Sequence, residues 1–246
     1  MNDLVLREEK DGLVTLTLNR PQKLNALNHA VFKELAAHLE WIEQNAAKVG
    51  CVILRGTGRS FCAGHDLDDI SGGGEGLSVS HFETRTIERL SDLPMPVVCV
   101  VQGHCLTGGL ELALGADIII AAESAKFADT HGKWDLVPVW GMSQRLPRRV
   151  GKARAMEMMF TSRTYSGREA ADMGLANFAV ADTELDAAVA QFAQEVLANS
   201  RRSNAANKKL LKDTDGMTEK AGLSHELHRT VGRGGEMGER LARMRK

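Results

Sequence analysis

Val97-Val98-Cys99-Val100-Val101-Gln102-Gly103-His104-Cys105-Leu106-Thr107-Gly108-Gly109-Leu110-Glu111-Leu112-Ala113-Leu114 is the stretch around which the rest of the chain is organised. Its valine-rich opening is apolar at every position, the pattern of a fully buried strand. The run breaks on small residues at Gly103, Gly108 and Gly109 and resumes as a short apolar helix from about Leu110. A strand that stops at glycines and opens a helix aims unpaired backbone N–H groups outward. Glu111 falls in the first turn with apolar neighbours on both sides. A carboxylate there is either a charge complementing the helix dipole or a catalytic group facing a cleft.

Working outward, strand–loop–helix units dominate the chain up to about residue 190. Val14–Asn19 alternates apolar and polar after Gly12, so it reads as a strand paired in a hairpin with Leu4–Glu8. Apolar residues recur at helical spacing from His29 to about Lys48, behind a predicted N-cap at Asn28. Cys51–Leu54 is a second buried strand, and it runs into the glycine-studded Gly56–Leu67 loop. Ser71–Gly76 reads as a flexible surface loop, followed by a helix to about Leu90. Past Glu111, Asp117–Ala122 reads as a strand, His131–Trp140 as a loop or short helix, and Gly141–Val150 and Lys152–Thr161 as two short helices. A helix capped by Ser166, a small strand at Phe178–Val180 and an amphipathic helix over Thr183–Ala198, capped by Asp182 or Thr183, complete this part. Beyond Asn199 the pattern is helical, charge-rich and free of strands. The division expected is therefore an α/β core over 1–190 and a helical C-terminal region over 191–246 that packs on the body or on a neighbouring subunit.

Composition narrows the function classes. With 246 residues there is ample chain for a real core. Lys+Arg 31 against Asp+Glu 32 leaves a net charge of −1, which predicts neither a nucleic-acid nor a membrane partner. The cysteines at 51, 62, 99 and 105 form no CxxC pair, so a reduced, cytoplasmic setting is expected. No run approaches the roughly 20 apolar residues of a membrane span, and the acidic N-terminal residues do not suit a signal peptide. GxGxxG, the Walker loop and the GxSxG elbow are missing, and His225-Glu226-Leu227-His228 lacks the HExxH spacing, so no metal is expected.

Two loops share one design. Ala63-Gly64-His65-Asp66 and Thr107-Gly108-Gly109-Leu110-Glu111 each follow a buried strand and carry small residues where backbone N–H groups can approach a ligand. Either set of glycines could simply serve a tight turn. Two such donors converging on one point would form an oxyanion hole for a thioester or ester.

Taken together, the motifs resemble the crotonase superfamily, the enoyl-CoA hydratase/isomerase family. The matching pieces are Asn19-Arg20-Pro21 with Leu24-Asn25-Ala26-Leu27, then Phe61-Cys62-Ala63-Gly64-His65-Asp66-Leu67, then Gly108-Gly109-Leu110-Glu111-Leu112-Ala113. Asp117-Ile118, Ala125-Lys126-Phe127, Ser143-Gln144-Arg145-Leu146 and Val150-Gly151 follow in family order. The resemblance implies a crotonase-like spiral of ββα units whose C-terminal helices act in trimerisation or as a lid, assembled as a homotrimer or a dimer of trimers. It implies a coenzyme A thioester as substrate, with no permanently bound cofactor. It assigns the oxyanion donors to the N–H groups of His65 and Gly108. It places the coenzyme against Lys23, Leu24 and Ala26 and against Ala63, Gly64, Asp66 and Leu67, with Lys and Arg residues at the mouth meeting the phosphates.

The resemblance makes Glu111 the first of the two catalytic glutamates of the hydratases. At the place of the second this chain carries His131. A histidine, with an unperturbed pKa of about 6.5, can play either proton role. Asp135, four residues on, would orient its ring if the segment is helical, and Asp129 is the other nearby carboxylate. Thr107 stands where many relatives have glycine and is expected to narrow the acyl pocket or bond the water. Trp134 and Trp140 are expected to line or lid that pocket. The side chain of His65 is expected at solvent or coenzyme, His104 as a satisfied half-buried histidine, and Arg145, Arg148, Arg149, Lys152 and Arg154 as a solvated face. The leading expectation is hydration of a 2-enoyl-CoA. The alternatives are another oxyanion-stabilised reaction (isomerisation, hydrolysis or decarboxylation) or acyl-CoA binding without turnover.

Overall fold

The computed structural model describes residues 3–66 and 77–244, so Leu67 and the expected Ser71–Gly76 loop lie outside the described residues. Strands β1 (Val5–Lys10) and β2 (Leu13–Leu18) form the expected antiparallel hairpin, turning at Gly12 with φ +86°. Val14, Leu16 and Leu18 point into the core, as the alternation requires. From β2 the sheet continues in parallel through β3 (Cys51–Gly56), β4 (Val97–Val101), β6 (Ile118–Ala122) and β9 (Phe178–Val180), in the order β1-β2-β3-β4-β6-β9. All five residues of β4 are buried, which explains why it carries no alternation.

Helix α1 (His29–Gln44) buries Val31, Phe32, Leu35, Ala36, Leu39 and Ile42, and Asn28 caps it by accepting from Val31 N–H at 3.0 Å. Helix α2 (Leu77–Asp92) packs beside it.

The opening stretch turns a corner that its sequence does not announce. Gly103 has φ +56°, and a β carbon there would lie 1.9 Å from Arg59 O. The chain thereby leaves the large sheet and enters a second one, formed by β5 (His104–Leu106), β7 (Lys126–Ala128) and β8 (Tyr165–Ser166). Bridges from Cys105 to Cys62 and from His65 to Leu27 extend it. Helix α3 (Gly108–Ala113) then starts two residues earlier than expected, with Thr107 at its N-cap.

Next come α4 (Met142–Val150), α5 (Lys152–Thr161) and α6 (Gly167–Asp172), the last opened by a capping box between Ser166 and Glu169. The expected cap at Asp182 or Thr183 is displaced. The Asp182 carboxylate accepts from Ser124 N–H at 3.2 Å, and a 3₁₀ turn at Asp182–Glu184 precedes α7 (Leu185–Ala198). Helix α7 runs unbroken past position 190 and buries Leu185, Val189 and Ala193.

Helices α8 (Arg201–Asp213), α9 (Glu219–Arg229) and α10 (Met237–Met244) bury no residue. Lys208 to Asp117 (2.7 Å) and Arg201 to the Lys48 carbonyl (2.8 Å) tie α8 to the body, while Leu211, Leu223 and Leu227 stay exposed. Among the described residues no helix is long and apolar enough to cross a membrane.

Candidate active site

The two glycine loops meet. Leu27 N–H donates to Gly64 O at 2.8 Å and Asp66 N–H to Leu27 O at 2.7 Å. In such a parallel bridge the residue between, His65, turns its own N–H to the opposite side. The 106–108 turn lies on that side. A β carbon on Gly64 would sit 3.1 Å from Leu106 O and 3.8 Å from Gly108 N, and one on Gly108 would sit 3.3 Å from His65 N. Gly108 opens α3, so its amide has no partner within the helix. The two amides assigned as oxyanion donors are therefore neighbours.

Residues 23–27 and 63–66 are stitched side by side, with Ala63 N–H donating to Leu24 O at 3.0 Å. Leu24 and Asn25 both take positive φ, and the Asn25 amide spans the turn by donating to Thr57 O (3.0 Å) and Ser60 O (2.8 Å). The Asp66 carboxylate accepts from Arg20 at 2.8 Å, and Arg20 also donates to Ala26 O at 2.6 Å. This pair of buried Asp66 and half-buried Arg20 ties together the two segments expected to hold the coenzyme. The pairing of Asp66 with Arg20 has no signal in the sequence beyond Asn19-Arg20-Pro21 being part of the motif.

Glu111 is 1 % exposed and stands in the first turn of α3, the helix that Gly108 opens. Its Oε1 accepts from Trp140 N–H at 2.9 Å and Met142 N–H at 3.0 Å. Burial raises its pKa above the ordinary carboxylate range; those two hydrogen bonds and His131 oppose the rise without cancelling it. Its other oxygen, Oε2, lies 3.8 Å from His131 Nε2. His131, itself 8 % exposed, starts a 3₁₀ turn over His131–Trp134, too short for Asp135 to serve as a helical neighbour. Asp129 takes that part, accepting from His131 N–H at 3.1 Å and meeting ring Nδ1 at 2.5 Å through the same oxygen.

Thr107 spends its hydroxyl on protein. Its Oγ1 accepts from Thr130 N–H at 3.1 Å and lies in a short contact with Thr130 Oγ1, and its own N–H donates to Ala128 O at 2.9 Å. These bonds hold a β-branched residue at φ +49°, ψ −111°, a strained conformation. They also tie the Gly108 turn to the segment that carries Asp129 and His131.

Trp140 is buried, edge-on to Phe32 (4.9 Å between centroids) and stacked at a tilt on His65 (5.0 Å). The His65 ring thus packs on an indole, where sequence had it at solvent or coenzyme. Trp134 is 56 % exposed and lies outside this packing. His104 is half-buried, its Nδ1 3.0 Å from Ser60 Oγ, and burial lowers its pKa. The basic run is not uniformly solvated. Arg145 donates to Trp140 O at 2.6 Å and Arg149 to Asp117 O at 2.7 Å, so these two hold backbone outside their own helix, while Arg148 bonds Gln144 O within it. Sequence reasoning missed Arg145 as a support of the loop whose amides hold Glu111.

The sequence model described as Enoyl-CoA hydratase/isomerase matches residues 8–232. The 1,2-epoxyphenylacetyl-CoA isomerase of Escherichia coli (strain K12) is 40% identical over 197 residues, covering 78% of this chain and 74% of the relative. An enoyl-CoA hydratase from Bacillus anthracis superposes with a TM-score of 0.93 at 30% identity, over 99% of this chain and 96% of that one. A protein of Thermobifida fusca YX in complex with acetoacetyl-CoA superposes with a TM-score of 0.83 at 28% identity, over 98% and 95%. Both the order of the motifs and the path of the backbone place this chain in the enoyl-CoA hydratase/isomerase family, with the crotonase fold.

Proposed function

We propose that this protein hydrates a 2-enoyl-CoA to the 3-hydroxyacyl-CoA. The observation that carries the reading is the 3.8 Å between Glu111 Oε2 and His131 Nε2. One water oxygen can stand within hydrogen-bond distance of both atoms. The raised pKa of Glu111 favours its protonated form as the acid. His131 Nε2 removes a proton from the water as its oxygen attacks the β-carbon. Glu111 delivers its proton to the α-carbon, and the imidazolium then returns a proton to Glu111. The amides of His65 and Gly108 carry the enolate oxygen between these steps, a contribution of ~2.7–4 kcal/mol for each donor lost.

The coenzyme enters as part of the substrate, along the segments that hold Lys23, Leu24, Ala26, Ala63 and Gly64, and no other cofactor takes part in these steps. Trp140 borders the acyl end. Thr107 narrows the pocket through its backbone turn, and Trp134 stands at its outer edge. Three copies, or two stacked trimers, would cover Phe160, which is 79 % exposed, and the apolar side chains of α9 and α10. The proposed setting is the cytoplasm.

Incubation with crotonyl-CoA in ¹⁸O-water tests the reaction. Mass spectrometry is expected to find one heavy oxygen in a 3-hydroxyacyl product, and an unlabelled rearranged thioester would overturn the reading. The E. coli relative's name favours a second reading, proton shuttling at Glu111 alone. His131→Ala separates the two, because it abolishes hydration and spares isomerisation.

A further inference from the structure

Three buried side chains stand in a row across the site. Asp129 is 1 % exposed, His131 8 % and Glu111 1 %. One oxygen of Asp129 meets both the backbone N–H and ring Nδ1 of His131. The opposite ring nitrogen faces Glu111. An ionised carboxylate only accepts hydrogen bonds, so the ring nitrogen it meets must carry a proton. In the neutral imidazole the other nitrogen then holds the lone pair.

We propose that Asp129 is a positioning residue. It holds the proton on Nδ1 of His131, fixes the plane of the ring, and thereby makes Nε2 the basic nitrogen turned towards Glu111. The backbone bond from His131 N–H anchors the carboxylate, so neither partner can swing away alone. The strut between Thr107 and Thr130 fixes the intervening residue against the Gly108 turn. Asp129 lies just before the 3₁₀ turn that His131 opens, so the pair is built by the backbone entering that turn and not by a helical repeat. The role matters for turnover because His131 is read as the group that takes the water's proton, and to that extent it rests on the proposed function.

The tautomer is read directly, without turnover, from the ¹⁵N shifts of the His131 ring in labelled protein above the ordinary histidine pKa. Wild type is expected to show a protonated Nδ1 and an unprotonated Nε2. Asp129→Leu, which keeps the bulk and removes the acceptor, is expected to release the proton towards Nε2 and to lower kcat by roughly 10²–10⁴ with KM little changed, as loss of a correctly poised base does. A wild-type ring protonated on Nε2, or on both nitrogens, overturns the proposal, and this holds even if the variant fails to fold. A folded variant that keeps the wild-type tautomer, or changes it at full kcat, overturns it too. A His131→Ala variant with unchanged turnover sinks the reaction reading instead, and leaves the tautomer result standing.

Discussion

Replacing Gly108 by alanine separates what the oxyanion turn does for folding from what it does for chemistry. The added β carbon would lie 2.5 Å from Trp140 Cζ3 and 3.1 Å from Cε3. Carbon atoms prefer roughly 3.5–4.0 Å, so the indole must retreat by about 1 Å. It has little room, being edge-on to Phe32 and stacked on His65. Overpacking of this kind costs roughly 1–3 kcal/mol. At about 2–4 °C per kcal/mol for a chain of this size, Tm should fall by roughly 2–12 °C. The same methyl would stand 3.3 Å from His65 N, in the space a thioester oxygen needs. Losing one donor costs ~2.7–4 kcal/mol in the barrier, so kcat should fall by roughly 10²–10³. Thermal unfolding and steady-state turnover of a 2-enoyl-CoA read the two effects side by side. Trp140→Leu costs stability of its own through the cavity it leaves, so the drop in Tm caused by Gly108→Ala should be smaller in a Trp140→Leu background than in wild type, while the drop in kcat should be the same in both. Wild-type turnover in Gly108→Ala would refute the placing of the oxyanion between these amides.

Further expectations concern charge and shape. Because burial raises the Glu111 pKa, the folded state holds its proton where the unfolded chain has lost it. Stability therefore falls as pH rises from the ordinary value of 4.5 through the folded pKa, by about 1.4 kcal/mol per pH unit across that window. Glu111→Gln should unfold at a higher Tm than wild type near neutral pH, and the gap should close in acid; a constant gap across pH would contradict the assignment. Asp66→Asn strips the charged partner from half-buried Arg20 and should cost about 1–3 kcal/mol in urea unfolding and raise KM for the thioester; an unchanged urea midpoint would refute the clamp. Trp140→Ala should raise the kcat/KM of long enoyl chains relative to short ones, and an unchanged ratio would remove Trp140 from the acyl pocket.

Much of the fold is legible where burial has a simple period. The hairpin at Gly12, the valine strand β4 and the amphipathic α1 all follow from one-dimensional patterns, because a single buried face imposes them. The corner at Gly103 is not legible in this way. Its cause is a close approach to Arg59 O, a residue far away in sequence. Pairings between loops are hidden for the same reason. The Arg20–Asp66 pair joins residues 46 apart in the chain, and Arg145 reads as a surface charge until Trp140 O is seen beneath it. Glu111 and His131 could be singled out through family motifs. The choice between Asp129 and Asp135 needed the local backbone, since a 3₁₀ turn does not bring residues four apart together as a helix does.

The central claim is that Glu111 gives up a proton to the α-carbon of a 2-enoyl thioester held by the two amides. Loss of enoyl-thioester absorbance with crotonyl-CoA, compared between wild type and Glu111→Gln, tests it most directly. The variant keeps an oxygen for the Trp140 and Met142 amides but lacks the transferable proton. A rate lower by roughly 10²–10⁴ is expected from the loss of a general acid. Equal rates in the two proteins would contradict the account.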